Sequence, residues 1–442
     1  MAGGTRSTKG RGRAAPRSTQ RSGADARQRT EARRTGSSQM QPRRGSRRRL
    51  IGVIAIVAIL LVGVVGAVAV TGDDSDDPPE ETARPVTAAL TGTVVAEEGT
   101  VLPISATAAT YHVTYQVETA SGTTALLRTE MSSVRRPFDA QLLAYSEGGS
   151  SAAPDLDARS NLGLYADVTD PDHPDVGQGM PAAALGDLRF DGALDDLVDA
   201  GIFVVRERRE LLGRECQVYR TGNLVESPPL ALPTESTYAD VCIDSAGLVL
   251  EEVAFVDGIA ETYEVATAVQ VDTSLDDDLF TIVGEPLTLD EGGNELGPLD
   301  TAEVPVANYW VPAAAPLGAT HVGRYVLRTP NPEAAGDTGT STTVGPSDPA
   351  GKSIDTYVDV YTTGPTFVVV HQGIVSAATT RDTTLGKDVE AGALGTARVV
   401  FGATGSTLVA SNDTWFVEVT APLSVADLGA IASTLQPVTA NA

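Results

Sequence analysis

The longest break in the mixed polar and apolar pattern is residues 50–70, LIGVIAIVAILLVGVVGAVAV, a run of 21 residues with no charged or polar side chain. At about 1.5 Å of rise per residue it would make a helix of about 31 Å, the hydrocarbon thickness of a bilayer. It reads as a single transmembrane helix. From about Val86 the pattern changes to period two. In Tyr111–Glu118 (YHVTYQVE) odd positions are apolar or aromatic and even positions polar, which predicts a half-buried antiparallel strand. The same reasoning predicts strands near 123–134, 137–146, 202–209, 214–221, 236–243, 248–256 and 261–271. Ala246-Gly247 and Asp257-Gly258 supply tight turns between the last three. One short helix fits Asp191–Ala200, with Gly201 as its stop.

Residues 285–308 read as a linker, and a second run of strands follows near 322–328, 355–361, 366–371, 396–401, 406–410 and 414–420. Thr329–Lys352, rich in Pro, Gly, Ser and Thr, reads as a mobile loop. Near the C-terminus Ser424 is placed to cap a helix. Asp427 stands in its first turn, and Val425, Leu428, Ile431, Ala432 and Leu435 form the buried stripe.

Charge divides the chain more sharply than its overall net of −26 suggests. Residues 1–49 hold 15 Lys+Arg against 2 Asp+Glu, a net of +13, so that residues 50–442 carry −39. The tail has almost no large apolar residue and is expected to be a disordered cytoplasmic segment. Its arginines at 43, 44, 47, 48 and 49 abut the apolar run as a positive-inside signal, with DNA binding as a lesser alternative. Ser46–Leu50 also resembles a twin-arginine export signal, with a cleavage site after Ala69. In both readings the remainder lies outside the cytoplasm of a bacterial cell, either as a single-pass anchored protein or cleaved and exported. Residues 71–85, TGDDSDDPPEETARP, read as an extended acidic spacer. The acidic bulk would repel phosphate, so no nucleic-acid partner is expected.

Cys216 and Cys242 lack C-x-x-C spacing, which disfavours a zinc or thioredoxin motif. Outside the cytoplasm a structural disulfide is the expected state; a redox switch, buried thiols and pairing with another chain are the alternatives.

Candidate chemistry is sparse. Gly351-Lys352-Ser353 lacks the upstream glycine of a P-loop, since residue 346 is proline. Asp167, Asp170, Asp172 and Asp175 could meet calcium, but the loop lacks the EF-hand glycine and glutamate and reads as solvated. His112, His173, His321 and His371 are scattered without metal-ligand spacing. No G-x-S-x-G elbow occurs. No catalytic residue, metal or cofactor is expected, and the chain is not expected to be an enzyme.

Cys242-Ile243-Asp244, Gly247–Glu252, Val271-Asp272 and Leu279-Phe280 together resemble the C-terminal half of LolA-like and RseB-like envelope proteins. The resemblance covers about Val86–Gly284. It implies a curved antiparallel half-barrel sheet wrapping helices, and binding of a lipid or acyl chain. Residues 309–442 resemble the small antiparallel α+β modules appended to envelope regulators, through Val368–Gln372 and Trp415–Val419. The expected fold class is thus α+β: a transmembrane helix at 50–70, a half-barrel domain at 86–284, and a smaller α+β domain at 309–442. The expected function is a membrane-anchored protein that binds a lipid or acyl chain in a sheet-lined groove. The alternative is an envelope-stress sensor that binds another membrane protein, such as an anti-sigma factor. Candidate groove residues are Tyr111, Val113, Tyr115, Val117, Leu127, Tyr263 and Val265, with Val269 and Val271 on the same expected face. Sequence leaves open whether that face is groove or ordinary core.

Overall fold

The computed structural model describes residues 85–438, apart from 97–100, 105–106, 123, 148–152, 182, 223–229, 284–294, 299–308, 331–352 and 376–382. The first sheet has twelve strands. Its centre is built from β2 (Thr110–Ser121), β3 (Thr124–Arg135) and β4 (Asp139–Ser146). On one side follow β5 (Leu156–Asn161), β6 (Leu164–Asp167) and β7 (Asp175–Gln178). On the other lie β12 (Ile259–Val271), β11 (Val249–Val256), β10 (Tyr238–Asp244), β9 (Arg214–Thr221), β8 (Phe203–Leu211) and the edge strand β1 (Thr93–Ala96). Every pairing is antiparallel, and β12 closes back onto β2. The turns are those that the glycines dictate. Asp257 and Gly258 both adopt positive φ, 52° and 80°, as a two-residue hairpin requires.

The second sheet orders β13 (Glu295–Pro298), β15 (Thr320–Pro330), β16 (Ser353–Thr363), β17 (Thr366–Ile374), β21 (Trp415–Ala421), β20 (Gly405–Ser411), β19 (Thr396–Gly402) and β18 (Lys387–Glu390). The strand β13 falls within the stretch that composition assigns to a linker. A third small ladder pairs β14 (Trp310–Pro312) with β22 (Leu435–Pro437).

Helix is scarce. Among the described residues there are two α-helices, α1 (Leu194–Asp199) and α2 (Val425–Ser433), of six and nine residues. Ser424 caps α2: its Oγ accepts from the Asp427 backbone N–H at 3.1 Å. The α+β expectation is therefore corrected to a mostly β, antiparallel fold. Its physical origin is the near-unbroken sequence of hairpins: strand follows strand across tight turns, leaving little chain to form covering helices.

The membrane expectation is corrected as well. Among the described residues no helix is long and apolar enough to cross a membrane. The apolar run at 50–70 lies outside the described residues, as do the tail at 1–49 and most of the spacer at 71–85 and of the loop at 329–352. The single-pass anchor and the localisation built on it are carried no further.

The two large sheets share a core. One hydrophobic cluster takes Phe190, Leu197, Phe203, Tyr219 and Val241 from the first sheet, α1 and the segment before it, and Val370, Phe401, Leu408, Val419 and Leu428 from the second sheet and α2. Polar contacts reinforce this seam. The Arg189 backbone N–H donates to Ala403 O at 2.8 Å, and Leu230 N–H to Phe401 O at 2.9 Å. Asp196 of α1 accepts from the Val425 N–H at 2.7 Å and from Lys387 Nζ at 3.0 Å. Gly192 is required here, because a Cβ would lie 2.6 Å from Pro422 O.

Candidate binding site on the first sheet

The residues that period two groups on one face are divided by the structure between two faces. Tyr111, Val113, Tyr115 and Val117 do share a face of β2, and Val269 and Val271 stand opposite Val113 and Tyr111 on β12. Between Ala266 and Ala268 the ladder shifts register, a bulge at Thr267. Beyond it Val265 pairs with Gln116 and Tyr263 with Glu118, the residues that alternate with Tyr115 and Val117. Tyr263 and Val265 therefore project to the opposite side of the sheet, where they pack with Val86 and Val253. Leu127 stands across from Glu118 and belongs to that side too. Val113 and Val117 are fully buried, with exposures of 0% and 1%.

Of the expected groove residues, Tyr111 and Tyr115 line a cavity of about 80 Å³. It opens between strands β2, β3, β4, β11 and β12 and two connecting segments, 185–188 and 247–249. One wall is apolar, formed by Leu142, Leu185, Leu188 and Leu248. The rest is acidic: Glu130, Asp187, Glu252 and Glu264, with Ser132 among them.

The tyrosines are fixed by hydrogen bonds. Tyr111 Oη donates to Asp187 Oδ1 at 3.1 Å and Tyr115 Oη to Val249 O at 2.9 Å. Burial raises both phenols well above their ordinary pKa, with further upward pushes from Asp187 on Tyr111 and from Glu264 on Tyr115. Two of the acids are compensated. Asp187 pairs with Arg136 at 3.0 Å, both side chains being buried, and Glu130 pairs with Arg128 at 2.5 Å. Glu252 and Glu264 form no ion pair among the described residues. They stand directly opposite one another on β11 and β12. Burial pushes Glu252 up to about 7. Burial, then the nearby charges of Glu130 and Glu252, raise Glu264 well above the ordinary carboxylate value. Ser132 is 6% exposed, and its Oγ has no hydrogen-bond partner.

Alternation assigns Glu130 and Glu264 to solvent, and so hides the acidic half of this cavity. One signal was present in the sequence. Strand β11 reads VLEEVAFV, and two consecutive glutamates in an apolar strand must place one carboxylate on each face. Glu251 goes to the Tyr263 side, where its Oε1 accepts from Tyr263 Oη at 2.8 Å and from the Thr91 N–H at 2.6 Å. Glu252 goes to the cavity.

Cys216 and Cys242 form a disulfide with a Cα–Cα distance of 5.4 Å. They lie on the neighbouring strands β9 and β10, where Val218 stands across from Cys242. The bond belongs to the same buried cluster as Tyr111, Val113 and Leu248, but neither cysteine lines the cavity.

A second polar group lies in the other sheet. His371 Nδ1 is 3.1 Å from Glu418 Oε2, and its Nε2 is 2.8 Å from Thr356 Oγ1. The order hydroxyl–imidazole–carboxylate has the form of a nucleophilic triad. Thr356 is only 2% exposed, however, and its hydroxyl lies 3.3 Å from Leu327 O, which suits a structural tie between strands. His321, Arg324 and Tyr309 similarly converge on buried Asp359, at 3.0, 2.8 and 2.6 Å.

No family model matches the chain, and no curated protein matches it. Solved structures do. The chain is similar to MucB in the Pseudomonas aeruginosa MucA/MucB complex, at 12% identity over 75% of this chain and 94% of that one, with a TM-score of 0.26. It is similar to a DUF1329 family protein from Desulfovibrio piger, at 12% identity over 40% and 90% of the two chains, with a TM-score of 0.21. It is also similar to an outer membrane lipoprotein-sorting protein domain from Vibrio parahaemolyticus, at 10% identity over 39% and 88%, with a TM-score of 0.17. With TM-scores below 0.5, the reading of the site rests on its own residues.

Proposed function

We propose that this chain is an envelope binding protein of the sensor or carrier type, which engages a partner through the cavity between β2, β3, β11 and β12. The observation that carries the reading is unmet polar capacity. Among the described residues Ser132 Oγ is buried without a hydrogen-bond partner, whereas buried polar groups are ordinarily satisfied, and buried Glu252 forms no ion pair. A ligand placed there completes the site. The disulfide supports an oxidising compartment outside the cytoplasm.

Size and lining favour a polar partner group over a full acyl chain. The cavity is about 80 Å³, roughly half of the ~150 Å³ apolar cavity that admits a benzene ring. The acyl-chain reading has its own observation in the leucine wall, but a long chain would need residues 185–188 to move aside. Native mass spectrometry of the full chain, beside the cavity-filling variant Leu185→Trp, tests both. Lipid that co-purifies with the parent and is lost in the variant supports the carrier reading. Binding of a protein segment that is lost in the variant supports the sensor reading. Ligands retained equally by the variant contradict the cavity as the site.

A further inference from the structure

We infer that the cavity recognises a cationic side chain, the ammonium of lysine or the guanidinium of arginine, presented by a protein partner. The inference rests on the cavity being the binding site and names what it takes. Four observations converge. Two carboxylates, Glu252 and Glu264, face one another across adjacent strands without a cation of their own among the described residues. Ser132, more than nine-tenths buried, lines the same cavity with a hydroxyl that has no partner among the described residues, and a hydroxyl oxygen can accept from an ammonium or guanidinium N–H. Tyr111 and Tyr115 line the same space; the Tyr111 ring already holds the Arg136 guanidinium 5.2 Å from its centroid, which leaves Tyr115 as the aromatic group for a ligand cation. Leu185, Leu188 and Leu248 form the apolar wall against which the methylene stem of a long basic side chain would lie.

The volume suits such a group. A space of about 80 Å³ holds a charged head and little more. A cation there would favour the ionised form of both carboxyl groups and bind them through charge-assisted hydrogen bonds. The long-range field agrees: residues 50–442 carry −39, which draws basic segments toward the surface. The same field weighs against the amine head of a phospholipid. Its phosphate lies only a few atoms from the amine and would be brought into the same negative field.

The test is isothermal titration of the full-length protein with n-butylammonium, n-butylguanidinium, neutral n-butanol, acetyl-Gly-Lys-Gly-amide and glycerophosphoethanolamine. The parent is compared with Glu252→Gln, Glu264→Gln and Leu185→Trp, each first checked for an unchanged melting profile. The expected result is binding of both cations and of the lysine peptide at least tenfold tighter than butanol. Each glutamine variant should weaken the cations at least fivefold and leave butanol unchanged, and Leu185→Trp should abolish all binding. Butanol binding as well as the cations, or cation binding indifferent to both glutamine variants, overturns the inference while leaving the cavity as a binding site. Glycerophosphoethanolamine binding more tightly than the lysine peptide transfers the site to a lipid headgroup and overturns the protein-partner assignment. Probes unaffected by Leu185→Trp, or no binding at all, overturn both the inference and the cavity reading. If a glutamine variant fails to fold, Ser132→Ala supplies the second arm: it should weaken the cations and spare butanol, and equal loss of both contradicts cation recognition.

Discussion

Glu252 and Glu264 stand directly opposite one another on adjacent antiparallel strands, two carboxyl groups that line one cavity and form no ion pair among the described residues. Burial penalises the charged form of a carboxyl group. The cost must appear in the pH dependence of folding. Glu252 has its pKa raised by burial from an ordinary 4.5 to about 7. The folded state then holds a proton that the unfolded state has released. The contribution is fully present below about pH 4.5 and is lost as the pH rises through 7, at a cost on the order of 3 kcal/mol. Glu264 and Glu130, raised in the same direction by burial, add to the same trend. Urea unfolding of the parent between pH 4.5 and 8 should show stability falling, and Glu252→Gln should flatten the curve. A parent curve that rises across this window would contradict the assignment.

The Cys216–Cys242 bond closes a loop of 26 residues between β9 and β10. In the chain-entropy model that is worth about 3.5 kcal/mol. Replacing both cysteines with serine should lower the unfolding free energy by about 2–4 kcal/mol in denaturant titration. Cation binding should be kept, because neither sulfur lines the cavity. A loss below 0.5 kcal/mol would show that the bridge constrains little.

Arg189 ties the cavity to the seam between the sheets. Its side chain is 0% exposed, Nη2 donates to Asp191 Oδ2 at 3.0 Å, and Nη1 donates to Pro365 O at 3.0 Å. Arg189 Nη1 also lies 3.6 Å from Asp187 Oδ2, and Asp187 binds both Arg136 and the Tyr111 hydroxyl. Arg189→Leu strands carboxylates in the interior and should cost about 3–5 kcal/mol in urea unfolding. A cost under 1 kcal/mol would mean that the two sheets are held by their apolar core alone.

In the second sheet, Tyr309 donates to buried Asp359 at 2.6 Å. Tyr309→Phe removes one of three donors to a carboxylate that is 0% exposed, and should destabilise by about 1–3 kcal/mol. His321 and Arg324 remain on Asp359, so the loss should fall short of unfolding. Thermal melts of the two proteins side by side decide this.

Much of the strand pattern was legible because hairpins write it locally. Tyr111–Glu118 alternates cleanly, Asp257-Gly258 marks its turn, and Ser424 marks the start of α2. Short strands such as β5, β6 and β7 were not legible. Their residues, LDARSN, LYAD and DVGQ, carry too few apolar positions to show a period. The cavity was half legible. Tyr111 and Tyr115 follow from period two. Tyr263 and Val265 were misplaced because a bulge at Thr267 reverses the parity of β12, and a bulge leaves no mark in composition. The acidic half stayed hidden for a related reason: alternation equates a polar position with solvent, and Glu130 and Glu264 are polar positions that line the cavity. The shared core of the two sheets rests on contacts between residues about 200 positions apart, such as Asp196 with Val425, which no local pattern encodes.

The central claim is that the space between Tyr111, Tyr115, Glu252 and Glu264 is where a partner binds. The most direct measurement is fluorine NMR of the full chain labelled with 3-fluorotyrosine, with Tyr111→Phe and Tyr115→Phe assigning two of its 11 tyrosine signals. Adding acetyl-Gly-Lys-Gly-amide is expected to shift the Tyr111 and Tyr115 signals together and to leave those of Tyr309 and Tyr361, assigned by the same substitutions to phenylalanine, in place. Saturable binding of the peptide with Tyr111 and Tyr115 unmoved would contradict it.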